Sequence, residues 1–184
     1  AKTFMQLYRA GMVKGLFISS GIAGGGVTTQ DRLLDTAEIL RKNWSFEGYI
    51  HLKIMPGAEK AQVERGMQLA DRVSVNLEAP TRERLAKLAP EKQFFDELLE
   101  PLKWVEEIRQ TRPPSWGWKN RMPSSTTQFV VGAIDETDME LLQITAYLHA
   151  ILKLSRIYFS GFSPVSGTPF EDRIGVDPQR EVRL

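Results

Sequence analysis

The sequence predicts an α/β protein whose parallel strands form an arc of a (β/α) barrel. Short apolar runs start near residues 15, 49, 72, 127 and 156, and a helix-patterned stretch fills each gap. Repeated βα units of this kind imply a parallel sheet joined by right-handed crossovers. One face of several strands also keeps polar side chains. A doubly wound sheet, covered by helices on both sides, should be apolar on both. Both architectures satisfy the element order, and the polar face favours the arc. A complete eight-stranded barrel takes about 250 residues, so five strands in 184 residues make part of one.

Thr3 to Ala10 reads as a helix. Gly15 to Ser20 (GLFISS), bounded by glycines, suits a buried strand. Thr28 and Thr29 offer an N-cap to a helix carrying Leu33, Leu34, Ala37, Ile39 and Leu40. Tyr49 to Met55 (YIHLKIM) is the second strand, closed by Pro56-Gly57, and Ala58 to Ala70 the helix after it. Asp71 to Glu78 (DRVSVNLE) is the third strand. Thr81 to Leu88 and Phe94 to Ile108 follow as helices, then Thr127 to Gly132 (TQFVVG) as the fourth strand. Thr137-Asp138-Met139-Glu140 matches a capping box and starts a helix with the stripe Leu141, Ile144, Leu148, Ile151 and Leu152. Arg156 to Phe162 is the fifth strand, and Asp177-Pro178 a last helix start.

Side chains alternate along a strand. Ile50, Leu52 and Ile54 therefore oppose Tyr49, His51 and Lys53, and Val73, Val75 and Leu77 oppose Ser74, Asn76 and Glu78. Phe129 and Val131 oppose Gln128 and Val130; Ile157 and Phe159 oppose Tyr158, Ser160 and Phe162. Burying Lys53 and Glu78 without partners costs several kcal/mol, about the penalty of an unpaired buried charge. That face is therefore expected to line a cavity at the C-terminal ends of the strands. The alternative is a structural ion pair between Lys53 and Glu78. His51, on the same face, is a site candidate by facing alone; His149 reads as a packing or surface residue.

Apolar residues make up 42% and charged residues 26%, which are ordinary globular values and exclude disorder. A net charge of +1 creates no chain-wide attraction to nucleic acid or membrane. No apolar run approaches the about 20 residues that span a bilayer. The absence of Cys excludes thiolate-held metal on these residues and makes a cytoplasmic setting the expectation. One domain is expected over 1–184. Ala1 opens straight into a helix-like stretch and the chain stops soon after Pro178, so it is expected to be a fragment truncated at both ends.

Gly21 to Gly26 (GIAGGG) joins strand to helix, where glycines let backbone approach a ligand and helix amides favour anions. No Walker loop or dinucleotide fingerprint is present. Six blocks, taken together, carry a resemblance. They are Gly15–Gly21 (GLFISSG), His51–Gly57 (HLKIMPG), Ser74–Thr81 (SVNLEAPT), Leu88–Lys92 (LAPEK), Thr127–Gly132 with Glu136-Thr137-Asp138, and Phe162–Pro169 (FSPVSGTP). In order and spacing the chain resembles the radical S-adenosylmethionine superfamily, closest to its biotin synthase-related proteins linked to DNA modification or repair.

The resemblance implies a partial (β/α)6 TIM-like barrel. It also implies a [4Fe-4S] cluster, fed by an electron donor, that cleaves S-adenosylmethionine to a 5′-deoxyadenosyl radical, with nucleic acid as a substrate. Carried over by position, Ser19, Ser20 and Gly21 face the methionyl amino group, although the family's acid is missing there. Asn76 and Glu78 match the residues that bind the ribose hydroxyls, since a carboxylate accepts two hydroxyl protons. Lys53 suits the methionyl carboxylate, and Gln128 shares its face. Val130, Gly132 and Glu136 resemble the adenine-packing motif, and Ser160 with Phe162–Pro169 would close the adenine side. The family's C-x3-C-x2-C loop is absent, so this cysteine-free chain is expected to be inactive alone and its parent active.

Arg109 to Thr126 holds four basic residues and two Trp with no acid, forming a basic aromatic loop over 111–126. Arg112, Trp116, Trp118, Lys119 and Arg121 are its nucleic-acid candidates, since indoles stack on bases and cations meet phosphates. A Pro/Ser-rich surface insertion is the competing and stronger reading. Two other functions stay open: a barrel lyase using Lys53 as a Schiff base with Glu78 as acid/base, and a non-catalytic nucleic-acid binder.

Overall fold

The computed structural model describes all 184 residues. Its centre is a five-stranded, wholly parallel sheet: β1 (Gly15–Ile18), β2 (Tyr49–Lys53), β3 (Arg72–Ser74), β4 (Ser124–Val131) and β5 (Arg156–Gly161). The strands lie in sequence order, β1-β2-β3-β4-β5. The helices are α1 (Lys2–Arg9), α2 (Gly26–Glu38), α3 (Lys60–Leu69), α4 (Arg82–Leu88), α5 (Glu100–Thr111), α6 (Asp138–Ala150) and α7 (Pro178–Arg183). No helix is long and apolar enough to cross a membrane.

Strand order and handedness together decide where the helices go. Each crossover between neighbouring parallel strands is right-handed. When the order never reverses, all crossovers fall on the same face. Accordingly Ile50, Leu52, Ile54, Val73, Val75, Leu77, Phe129 and Val131 join Leu33, Leu34, Val63, Met67, Leu102, Leu141 and Leu148 in one buried cluster.

Several boundaries differ from the sequence reading. The third strand was expected over Asp71–Glu78, but its ladder stops at Ser74. Beyond it the Leu77 amide donates to the Thr127 hydroxyl at 3.1 Å, so a side chain replaces a ladder carbonyl. Glu78 then forms an isolated bridge with Phe129. β4 begins three residues before Thr127, because the Ser124 amide reaches the Asp71 carbonyl at 3.1 Å. The helix expected over Phe94–Ile108 is a π-helical turn, Phe94–Leu99, followed by α5. Pro101 explains the break, since proline lacks the donor a helix interior needs and is tolerated in the first turn. Ile151, placed on the apolar stripe of α6, lies beyond its last turn and is exposed.

The capping box of α6 is present. The Thr137 hydroxyl accepts from the Glu140 amide at 3.2 Å, and Glu140 accepts from the Thr137 amide at 2.6 Å. Glu140 also receives Arg84 at 2.9 and 3.1 Å. The Arg84 guanidinium, with the Thr137 amide, holds the Glu140 carboxyl well below the usual range, at about 2.

Below the sheet, at the N-terminal ends of its strands, one buried cation ties four segments together. Arg41 donates to the carbonyls of Leu69, Phe46 and Gly48 at 2.9, 2.8 and 2.7 Å, and to the Asp71 carboxylate at 2.9 Å. Asp71 also accepts the Ile50 amide at 2.9 Å, which links the pair to β2. The Trp118 ring covers the guanidinium at 4.1 Å. Removing one partner of a buried ion pair leaves the other charge uncompensated. Arg41→Met should therefore cost about 3–5 kcal/mol, read as a lower urea midpoint at unchanged slope.

Candidate functional site

The side of the sheet away from the helices is open and polar. Side chains of one parity line it: Phe17 from β1, His51 and Lys53 from β2, Ser74 and Asn76 from β3 and its extension, Thr126 and Gln128 from β4, and Tyr158 from β5. Together they bound a hollow of about 450 Å³. A second hollow of about 200 Å³ adjoins it toward the strand C-termini, sharing Lys53 and Asn76 and bounded also by Ser20, Gly21, Glu78 and Lys92. Lys53 and Asn76 stand between the two, which make a larger and a smaller lobe of the open face.

Four of these side chains meet this space without a partner from the protein. Lys53, Asn76, Thr126 and Gln128 make no side-chain hydrogen bond or ion pair, although the neighbouring polar groups do. Buried and half-buried polar groups are normally satisfied. Unpartnered polar groups on three adjacent strands, turned to one cavity, are therefore left to solvent or to a polar ligand.

Glu78 is paired, but not with Lys53. Lys92, from the loop after α4, donates to its carboxylate at 3.1 Å. The structural-pair alternative for Lys53 and Glu78 therefore fails, because a third residue takes the acid. Burial pushes the Lys53 ammonium below its ordinary value, Glu78 opposes that shift and Lys92 reinforces it. Glu78 also carries φ +64, and the Ala79 amide folds back to the Leu77 carbonyl at 2.7 Å, which makes a γ-turn centred on Glu78. A non-glycine residue in the left-handed region is uncommon and strained. Here the turn ends the strand and aims the carboxylate into the smaller lobe.

His51 lies with Nε2 2.8 Å from the Ser74 hydroxyl and its ring tilted against Phe17 at 4.5 Å between centroids. Burial first, then the charges of Arg72 and Lys53, push its pKa down to about 4. Arg72 spends its guanidinium on hydroxyls alone, Ser124 at 3.1 Å and Tyr158 at 3.2 Å.

The other candidates from the sequence are placed elsewhere. Ser19 is exposed and touches neither lobe. Val130 and Ser160 are register partners on the open face but lie beyond the larger lobe, and Phe162 packs on Phe170 at 6.2 Å. The adenine-packing positions Gly132 and Glu136 are occupied from within: a side chain at Gly132 would meet Val176 at 2.6 Å, and Glu136 is fully buried with Arg180 at 3.3 Å. His149 bonds the Leu154 carbonyl at 2.8 Å, a structural contact.

The basic aromatic loop sits at the other end of the sheet. It precedes β4, so it lies at the N-terminal ends of the strands, with Trp118 and Arg121 beside Tyr49 and Asp71. Its cations are matched within the chain: Arg112 to Glu64 at 2.7 Å, Lys119 to Glu47 at 3.2 Å and Arg121 to Asp71 at 3.4 Å. Trp118 stacks on Arg41, and Trp116 lies under Arg112 at 5.8 Å. Each of these basic groups thus has an acid in reach, Arg121 sharing Asp71 with Arg41.

No family model matches the chain, and no curated protein matches it. The site therefore stands on its own geometry. Sequence reasoning missed Thr126, Tyr158, Phe17 and Lys92 as site residues. Thr126 follows from alternation once β4 is started at Ser124, and Phe17 and Tyr158 from register with His51 and Gln128. Lys92 comes from a loop and leaves no signal in strand alternation.

The His51 environment makes a pH prediction. Histidine in an unfolded chain takes its proton near 6.5, whereas folded His51 resists until about 4. The unfolded state binds more protons between those values, so the contribution of His51 to stability is complete above 6.5 and is lost as pH falls toward 4. NMR titration of the imidazole should place His51 near 4, well below the ordinary value of 6.5. Arg72→Gln should raise the His51 value, and an unmoved titration would show that the Arg72 charge does not reach it.

Proposed function

We propose that the open face is the S-adenosylmethionine site of a radical S-adenosylmethionine enzyme. In this reading the five strands are an arc of a partial (β/α)6 barrel, and the open face is the interior of that barrel. The observation that carries the proposal is that Lys53 and Asn76 line both of two adjoining hollows, with Glu78 in the smaller and Gln128 in the larger, and that Lys53, Asn76 and Gln128 have no protein partner. The unreversed strand order supports the arc, since it leaves one face free of crossovers.

The chain's own residues would bind and orient the cofactor. Glu78 accepts the ribose hydroxyl protons, with Asn76 beside it, and Lys92 holds the carboxylate in place. Lys53 meets the methionyl carboxylate next to Ser20 and Gly21. The Gln128 amide supplies a donor and an acceptor to the adenine edge. Covered by the rest of a barrel, the space would exclude water from a reactive intermediate.

The [4Fe-4S] cluster of such an enzyme does not fit these residues. The chain has no cysteine and no group of three or more His, Cys, Asp or Glu side chains able to hold a metal. In this reading the cluster ligands and the electron-donor contact would have to be supplied by residues other than these. Nucleic acid as the substrate of that parent rests on the sequence resemblance, without support from the internally paired basic loop.

Calorimetric titration of the folded chain with S-adenosylmethionine tests the proposal. Saturable binding is expected, weakened about ten- to a hundredfold by Glu78→Gln and by Asn76→Ala, as for lost hydrogen bonds to charged or polar ligand groups. A chain with native circular dichroism and no saturable binding would overturn it. A second reading has one observation of its own, the unpaired Lys53 amine: a lyase would condense it with a carbonyl substrate, releasing water and leaving an imine. Borohydride would then fix the substrate on Lys53, detectable by peptide mass.

A further inference from the structure

We propose that the larger lobe is a binding site for a phosphate monoester, with the phosphoryl group held at Lys53 over the Ser74 and Thr126 hydroxyls. Register puts these three side chains in one row across the sheet, Lys53 beside Ser74 and Ser74 beside Thr126. The Lys53 ammonium and Thr126 hydroxyl have no protein partner. In the Nε2-protonated tautomer of neutral His51 the ring donates to the Ser74 oxygen, and the hydroxyl hydrogen is then left for a ligand. Neighbouring strands lie about 4.8 Å apart, close enough for the three donors to converge on one tetrahedral group.

The charge balance agrees. None of the nine residues around the larger lobe is Asp or Glu. Glu78 borders only the smaller lobe and is neutralised by Lys92. Arg72 adds a second cation, bonded only to hydroxyls, one of them the Tyr158 phenol at the wall of the lobe. The uncompensated field of Arg72 and Lys53 helps keep His51 unprotonated. An oxyanion seated there would cancel that field.

An ester suits the lobe better than the free ion. A phosphate would leave most of the roughly 450 Å³ unfilled, and the remaining walls are the Phe17 and His51 rings on one side and Tyr158 on the other. Lys53 has three protons and stands between the lobes, so it can meet a carboxylate in the smaller lobe or, with no adenine at Gln128, a phosphoryl group in the larger one.

Phenyl phosphate, inorganic phosphate and benzoate, titrated separately into the folded chain, form the test. Phenyl phosphate is expected to bind at least tenfold more tightly than either of the others and to raise the His51 pKa above about 4 on NMR titration. Lys53→Gln should weaken it at least tenfold, and Thr126→Val, nearly isosteric, about threefold or more. Absence of saturable binding, equal binding of benzoate, or indifference to both substitutions would each overturn the site. Phenyl phosphate binding without S-adenosylmethionine binding would sink the adenosyl reading and leave this one intact.

Discussion

A β-strand turns successive side chains to opposite faces, and in this protein only one of those faces receives helices. The cause is topological. Five strands laid down in sequence order, each joined to the next by a crossover of one hand, stack every helix on the same side. The apolar parity then becomes core, and the polar parity is left to line a space. The positions of the strand-borne candidates, among them Lys53 and Gln128, follow from that asymmetry.

Charge gives the open face its character. Lys53 and Arg72 have no carboxylate partner, and the one acid pointed at the space is held by Lys92. This contrasts with the opposite end of the sheet, where Arg41 is buried among three carbonyls and Asp71. The two ends illustrate different uses of a buried cation. Arg41 is satisfied by its own chain and rigidifies it; Lys53 is unsatisfied and open to a ligand. The cations of the basic loop are also paired within the chain, but at the surface.

Strain is placed where the site needs it. The ladder of β3 ends at Ser74, Thr127 takes the Leu77 amide beyond it, and Glu78 then enters the left-handed region. A regular strand would have carried Glu78 along the sheet. The turn instead directs its carboxylate to the rim, within reach of Lys92. A strained non-glycine residue persists only where its surroundings over-determine it, and the bridge to Phe129 and the Lys92 pair do so here.

Alternation along β2 and β3, the capping box at Thr137 and the repeated βα spacing were legible in the sequence, because each depends on residues close in the chain. They determined a parallel α/β sheet with one polar face, and put Lys53, Asn76, Glu78 and Gln128 on it. Only the tertiary structure decided which polar groups are spent on one another. Lys92 reaches Glu78 from a loop, Asp71 takes Arg41, and the acids that neutralise the basic loop come from segments 48, 72 and 50 residues away in sequence for Arg112, Lys119 and Arg121. Pairing between charges far apart in the chain is set by how segments pack, and no local pattern encodes it.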